Sequence, residues 1–308
     1  MHRTYDIDDL LRAYHSTPRG STGRLIKLQG LEELDGYNPS NIIPDGGVPI
    51  AYVRAEGRHA ELASWSVPFR QRALDHWEID HDLPKFQFED PFLATIHGEL
   101  VVGGVRIVST LHDEVTWETV FLRGSSLLDL QEFAVSPPCM KDVRLLELDD
   151  GRIGVFTRPW GTESERALIG YTEIEQLDDL TTSVMEDASR LGTQPVSGQW
   201  WGANAVYDLG DGTIGVLGHM ARWKDGVRHY YAVAFTFDRH RRAITRGPRI
   251  IADRASFPPY PARADDLEDV VFPAWIDRVQ GLLYCGLSDT AIGVMALADP
   301  FIPDGEGR

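Results

Sequence analysis

The feature that most constrains this 308-residue chain is a pattern that returns five times. Each time an Asp or Asn precedes a strand-like run, a tight turn follows, and a second run of β-formers comes after it. Asn38 leads to Gly46-Gly47 and then Ile50–Arg54; Asp90 leads to His97-Gly98 and then Leu100–Val105; Asp142 leads to Asp149-Asp150-Gly151 and then Ile153–Thr157. Asn204 leads to Gly210-Asp211-Gly212 and Ile214–His219, and Asp269 to Gly281 and Leu282–Leu287. The polar residue stands 8 or 9 positions before its turn glycine in the first four units and 12 before it in the fifth. The unit-to-unit steps are 52, 52, 62 and 65 positions. Gly-containing turns between alternating runs are strong hairpin signals. A repeat of about 50 residues with room for four strands is the signature of propeller blades. A β-sandwich also supplies short strands, but it does not predict five equivalent Asp or Asn positions. The expected fold is therefore all-β, a five-bladed β-propeller over residues 25–308. Residues 1–24 form an N-terminal extension, with helical spacing of Leu10, Leu11 and Tyr14 over Ile7 to Tyr14. The longer third and fourth steps are taken up by loops, and Asp178 to Leu191 reads as a short helix, a lid or a plain surface connection.

The formal net charge of −17 argues against binding to nucleic-acid phosphates or anionic membranes. A hydrophobic content of 43% and a charged content of 25% are those of a folded soluble protein. Met1 to Asp9 has no basic region followed by an apolar core, and no apolar run reaches the roughly 18 residues of a membrane helix. Cys139 and Cys285 alone cannot build a disulfide framework, so a cytoplasmic protein is expected. The ten His lack helical zinc spacing, and no metal is expected. No phosphate-cradling Gly-rich loop or Gly-x-Ser-x-Gly elbow occurs. Eight Trp, with Trp200 and Trp201 adjacent, suit stacking on sugar faces; they equally suit filling a large β core.

In a propeller the first strands face the axis, so Asn38, Asp90, Asp142, Asn204 and Asp269 would converge as a polar ring. Carboxylates crowded there raise at least one proton affinity and supply a neutral proton donor. That is what protonation of a glycosidic leaving oxygen needs. Taken singly, each Asp could instead cap a turn. Arg54, Arg58, Arg158 and His219 occupy comparable second-strand places, and Lys141 precedes Asp142. They would hold an anion such as phosphate, or pair with the ring carboxylates as a structural network.

From about Leu28 to Phe301 the chain resembles the uncharacterised propeller family known as domain of unknown function 1861, also labelled MTP-1. The residues that carry this are Tyr37-Asn38-Pro39-Ser40, Gly151–Pro159, Gln199-Trp200-Trp201-Gly202-Ala203-Asn204, Gly218-His219 and Leu287-Ser288-Asp289. More remotely the layout is similar to glycoside hydrolase family 130, which contains β-mannoside phosphorylases and some hydrolases. Asn38-Pro39, Glu89-Asp90-Pro91, Lys141-Asp142, Arg158-Pro159, Gly218-His219 and Asp289 carry that likeness. The chain departs from it at Phe92, where the family usually has Arg, and in the order of Gly218 and His219.

These resemblances imply that Asp90 is a general acid, with Lys141, Arg158 and His219 binding sugar or phosphate. Asn38 leaves no counterpart for the Asp nucleophile of other five-bladed glycosidases, which implies inversion. The expectation is an inverting glycoside phosphorylase or hydrolase on a small saccharide, mannose-containing among the candidates. Its catalytic residues are Asp90, Asp142 and Asp269, the last two as alternative activators of water. Substrate binding falls to Asn38, Arg54, Arg58, Lys141, Arg158, Trp200, Trp201, Asn204, His219 and Asp289. Inorganic phosphate is a candidate co-substrate, and no other cofactor is expected. The alternative is a non-catalytic propeller that binds a saccharide or a protein.

Overall fold

The computed structural model describes residues 4–16, 22–58, 63–109, 115–159 and 168–302. Among these residues the strands form four sheets of eight, six, four and four strands. The eight-stranded one joins two antiparallel groups through the parallel pairing of His229 with Asp269 and Tyr230 with Val270. Five groups of strands, here called units, thus follow one another along the chain. The first unit is built from Leu34–Pro39, Val48–Gly57, Trp65–Ala73 and His76–Ile79; the second from Glu89–Ile96, Glu99–Ser109, Val115–Gly124 and Gln131–Val135. The third contains Arg144–Glu147, Ile153–Thr157, Gly170–Ile174 and Ser189–Arg190. The fourth contains Gln199–Asp208, Thr213–Lys224, Val227–Asp238 and Ala243–Ala252. The fifth takes three strands from the end of the chain, Asp269–Asp277, Leu282–Leu287 and Ala291–Ala296. Its fourth is Arg24–Leu25, where Arg24 pairs with Val294 and Leu25 with Gly293. The start and end of the chain are thus stitched into one sheet.

Local chemistry explains the hairpins. Between Ile96 and Glu99 the two loop residues, His97 and Gly98, both have positive φ (51° and 81°). Asp225 and Gly226 do the same (54° and 79°) between Lys224 and Val227. Two positive-φ residues make the turn whose twist matches that of the flanking strands, and Gly takes the second position without a Cβ penalty.

The core lies between the units. Tyr52 and Ile50 of the first unit pack with Phe88 and Val102 of the second. Phe92 and Phe121 of the second pack with Leu145 and Ile153 of the third, and Phe156 and Tyr171 of the third with Trp201 and Phe235 of the fourth. Leu217 and Ala234 of the fourth meet Val271 and Cys285 of the fifth. The series closes where Tyr284 and Val294 of the fifth pack with Val53, Phe69 and Trp77 of the first. The first strands of the units also touch one another in this cyclic order. Each sheet buries both faces against its neighbours, which is why the strands read as near-continuous apolar runs.

The helix spans Ile7–His15 and starts at Asp6, whose carboxylate accepts from the Asp8 N–H. It is held on the fourth unit: Ile7 is fully buried beside Trp201, its N–H donates to Gln199 Oε1 (2.9 Å), and Asp8 pairs with Arg222 (2.7 Å). The segment after the third unit's third strand holds a short helical turn at Leu177–Asp179 and a helix at Thr182–Glu186. Buried Leu177, Leu180 and Met185 tie it to the second unit. Among the described residues no helix is long and apolar enough to cross a membrane.

Candidate functional site

A cavity of about 270 Å³ is lined by Asn38, Asp90, Arg144, Asn204 and Phe272, one residue from the first strand of each unit. Bulges aim several of these side chains. Strand register slips between Tyr37 and Pro39, Glu89 and Phe92, Ala203 and Ala205, and Pro273 and Trp275. An extra residue in one strand bends it and re-aims the side chain at that point. Asn38, Asp90 and Asp142 also have φ of 43°, 49° and 55°, the left-handed region that Asn and Asp tolerate best among residues with a side chain. The recurring Asp or Asn is therefore partly a backbone requirement, independent of any chemistry.

Asp90 is held from two sides. Asn38 Nδ2 donates to Asp90 Oδ1 (2.8 Å), and Arg54 Nη1 lies 3.4 Å from the same oxygen. The second Arg54 nitrogen reaches Glu56 (3.2 Å) and Glu89 (3.1 Å), and the guanidinium sits 5.0 Å from the Tyr37 ring centroid. Tyr37 donates to Glu56 (2.6 Å) and accepts from Arg263 (3.0 Å), which also pairs with Glu56. Burial raises the proton affinity of Glu89 and Asp289 above the usual carboxylate range; Arg54 opposes this, and the nearby Asp90 charge adds to it. Gly286 makes room for Asn38: a Cβ there would lie 1.8 Å from Asn38 Oδ1.

A second charged group adjoins the cavity. Asp142 and Arg158 are both buried and form an ion pair of 2.6 Å (Nε to Oδ2), while His219 Nε2 lies 3.9 Å from the same carboxylate oxygen. Burial works against the charge on Asp142, yet Arg158 and the other surrounding cations hold its affinity for a proton below the usual value. Burial pushes the His219 pKa down to about 3, so the ring is neutral at pH 7. Its Nδ1 pairs with Asn204 Oδ1 (2.8 Å), which places the proton on Nδ1 and the lone pair on Nε2. The nearest atoms to a Cβ at position 202 would be Asp142 Oδ2 (2.3 Å) and His219 Cε1 (2.7 Å), so Gly202 permits this packing.

Sequence reasoning missed Arg144. It is buried, its Nε donates to the Asn204 carbonyl (2.6 Å), its Nη1 to the Val143 carbonyl (2.9 Å), and it lies 4.6 Å from the Phe92 ring centroid. No carboxylate among the described residues pairs with it. The available signal was its place at the start of the third unit's first strand, two positions after Asp142. Glu56, Arg263 and Phe272 were also missed; the first two come together from distant loops and strands.

The structure brings Asn38, Arg54, Asp90, Asp142, Arg158, Asn204 and His219 to the cavity or the charged groups beside it. Asp289 acts on Arg54 and Asp90 electrostatically. Lys141 is half-buried, 5.8 Å from the Trp117 ring centroid, and its charge is felt at Glu89 and Asp142. Three expected residues lie elsewhere. Arg58 is an exposed partner of Asp35 (2.7 Å). Trp201 is a fully buried core residue that donates to Gln194 (2.7 Å), whereas its neighbour Trp200 is half-buried and donates to Tyr230 (3.2 Å). Adjacent strand residues face opposite ways, so the two indoles cannot serve one surface. Asp269 pairs with His229 Nδ1 (2.5 Å) and Tyr231 (3.1 Å) and lines a separate cavity beside Leu11 and His15. The bulge of the fifth unit falls at Ala274, seven positions before Gly281, so Ala274 holds the place that Asp269 was expected to hold. Among the described residues no three His, Cys, Asp or Glu side chains are grouped to hold a metal ion.

The protein is thus all-β, with a carboxylate-bearing cavity where the first strands of its units come together. Residues 15–303 match the family described as "Protein of unknown function (DUF1861)", and the chain belongs to that family. It is similar to MPT-4, a mannose phosphorylase from Leishmania mexicana solved with a phosphate ion, at 30% identity. That alignment covers 96% of this chain and 93% of that one, with a TM-score of 0.88. It is similar to MPT-1, a GDP-Man-dependent mannosyltransferase from the same organism, at 29% identity, 98% and 96% coverage and a TM-score of 0.87. An endo-arabinase from Bacteroides thetaiotaomicron shares the fold at 14% identity, 91% and 99% coverage and a TM-score of 0.56. No curated protein sequence matches significantly.

Proposed function

We propose that this chain is a five-bladed β-propeller enzyme that cleaves a mannose-containing saccharide by inverting phosphorolysis. The observation that carries this reading is Asp90, whose carboxylate is oriented by Asn38 and Arg54 at the cavity where all five units meet. The likeness over nearly the whole length to a mannose phosphorylase supports the substrate class and the role of phosphate. In the reaction Asp90 gives its proton to the leaving glycosidic oxygen. A phosphate oxygen forms a bond to the anomeric carbon on the opposite face as the C–O bond to the leaving group breaks. The products are a sugar 1-phosphate of inverted configuration and a saccharide shorter by one residue. Arg144 suits the phosphate because it lines the cavity and has no carboxylate partner among the described residues. Arg158 is committed to Asp142, and the neutral His219 leaves Nε2 as an acceptor for a sugar hydroxyl. Free Cys139 and Cys285 fit a reducing, cytoplasmic setting.

Comparable likeness to a mannosyltransferase supports a second reading, transfer of mannose from a nucleotide sugar. The deciding experiment incubates the protein with manno-oligosaccharides with and without inorganic phosphate, and separately with GDP-mannose and an acceptor. Mannose 1-phosphate formed only with phosphate upholds phosphorolysis. Turnover unaffected by removing phosphate overturns it in favour of hydrolysis, and elongation from GDP-mannose alone overturns it in favour of transfer.

A further inference from the structure

The fourth unit carries a row of rings on one face of its sheet, running from His219 beside the site out to the exposed Trp223. In the hairpin Thr213–Lys224 and Val227–Asp238, His219, Ala221 and Trp223 share one sheet face because strand side chains alternate. Residues paired across antiparallel strands share a face too. Trp200 and Tyr230, both paired with Ala221, and Arg228, paired with Trp223, therefore lie on that same face. His219 at the inner end is buried, with its ring centroid 5.4 Å from Tyr230. Trp200 bonds to Tyr230 in the middle. At the outer end Trp223 is 56% exposed. At a strand rise of about 3.3 Å per residue it stands roughly 13 Å from His219.

The outer end is built rather than loose. Arg228 lies 5.4 Å from the Trp223 ring centroid, and its Nε and Nη2 are fixed on Asp266 Oδ2 at 2.8 and 2.7 Å. A flat ring beside a fixed guanidinium–carboxylate pair offers what a pyranose requires: an apolar face to stack on, with a donor and an acceptor for its hydroxyls. We infer that this strip is a binding track for an oligosaccharide leaving the cavity, with Trp223 as its outer stacking platform. The inference rests on the saccharide reading above and goes further by assigning a multi-residue ligand to this strip.

Titration calorimetry of the full chain with manno-oligosaccharides from disaccharide to hexasaccharide tests it without requiring turnover. Affinity should rise with ligand length in the unaltered protein. Trp223→Ala should weaken hexasaccharide binding about tenfold, and Trp223→Phe should restore most of the loss. Trp223 is more than half exposed, so its removal leaves the core intact. Hexasaccharide affinity unchanged by Trp223→Ala overturns the track alone. Failure of every saccharide to bind the unaltered protein overturns the saccharide reading together with it.

Discussion

His219 offers the sharpest test of the electrostatics at this site. Its pKa is about 3 in the folded protein because burial penalises the imidazolium, against about 6.5 in an unfolded chain. The folded value is the lower one, so the unfolded chain takes up the proton first as pH falls. The stabilising contribution is full above pH ~6.5 and drains away as pH drops toward ~3. At about pH 4.5 the solution is roughly two units below the unfolded pKa and still above the folded one. At roughly 1.4 kcal/mol per unit, the loss relative to neutral pH is about 2–3 kcal/mol. That is a large part of a typical net stability of roughly 5–15 kcal/mol. Urea unfolding of the unaltered protein and of His219→Gln at about pH 7.5 and about pH 4.5 isolates this group. Other carboxylates affect both proteins alike, and Asp142, with its lowered pKa, stays mostly charged across the interval. The unaltered protein should lose about 2–3 kcal/mol more than the variant on acidification. Equal losses in the two would refute a neutral, desolvated His219, and with it the assignment of Nε2 as an acceptor in the site.

Asp90→Asn should lower kcat by about 10²- to 10⁴-fold while KM changes little, since the amide fills the same space and cannot donate the proton as an acid does; steady-state kinetics with a manno-oligosaccharide and phosphate reads this. Removing one partner of the buried Asp142–Arg158 pair, as in Arg158→Met, should cost about 3–5 kcal/mol in urea unfolding. The double variant Asp142→Leu/Arg158→Met should be less destabilised than the sum of the singles, which a double-mutant cycle checks. Gly286→Ala should displace Asn38 and destabilise by about 1–3 kcal/mol, with a fall in activity beyond what the folded fraction explains. Trp201→Ala should cost about 3–5 kcal/mol in unfolding, and half-buried Trp200→Ala clearly less; similar losses at both would contradict their opposite facing.

Particular residues show where reading the chain alone reaches its limit. The hairpins at His97-Gly98 and Asp225-Gly226 are written locally, because two positive-φ residues in a row admit few other conformations. The helix over Ile7–His15 was legible from apolar spacing, one residue short at its end. Asn38, Asp90 and Asn204 were found by their repeated offsets; at Asn38 and Asp90 the positive φ at the bulge also favours Asn or Asp. Asp269 followed the same logic to another place. The bulge of the fifth unit sits at Ala274, and a bulge is set by pairing between strands rather than by the residue at the bulge. The Trp200-Trp201 pair looked like one feature, but alternation along a strand sends the two rings to opposite faces.

The sequence by itself determined the all-β character, the repeating order of strand, turn and strand, and the place of the Asp or Asn in the first strands of the first, second and fourth units. These depend on interactions spanning a few residues, where period-two patterning and turn chemistry suffice. Only the tertiary structure decided which charges meet. Arg54 is shared among Glu56, Glu89 and Asp90; Asp142 is paired with Arg158; Arg144 has no carboxylate partner among the described residues; and Arg263 closes on Glu56 from more than 200 positions away. Proton affinities at the site follow from those meetings and from burial, and both depend on how the four sheets pack on one another. Closure itself is a long-range event, in which Arg24–Leu25 completes the sheet formed by Ala291–Ala296.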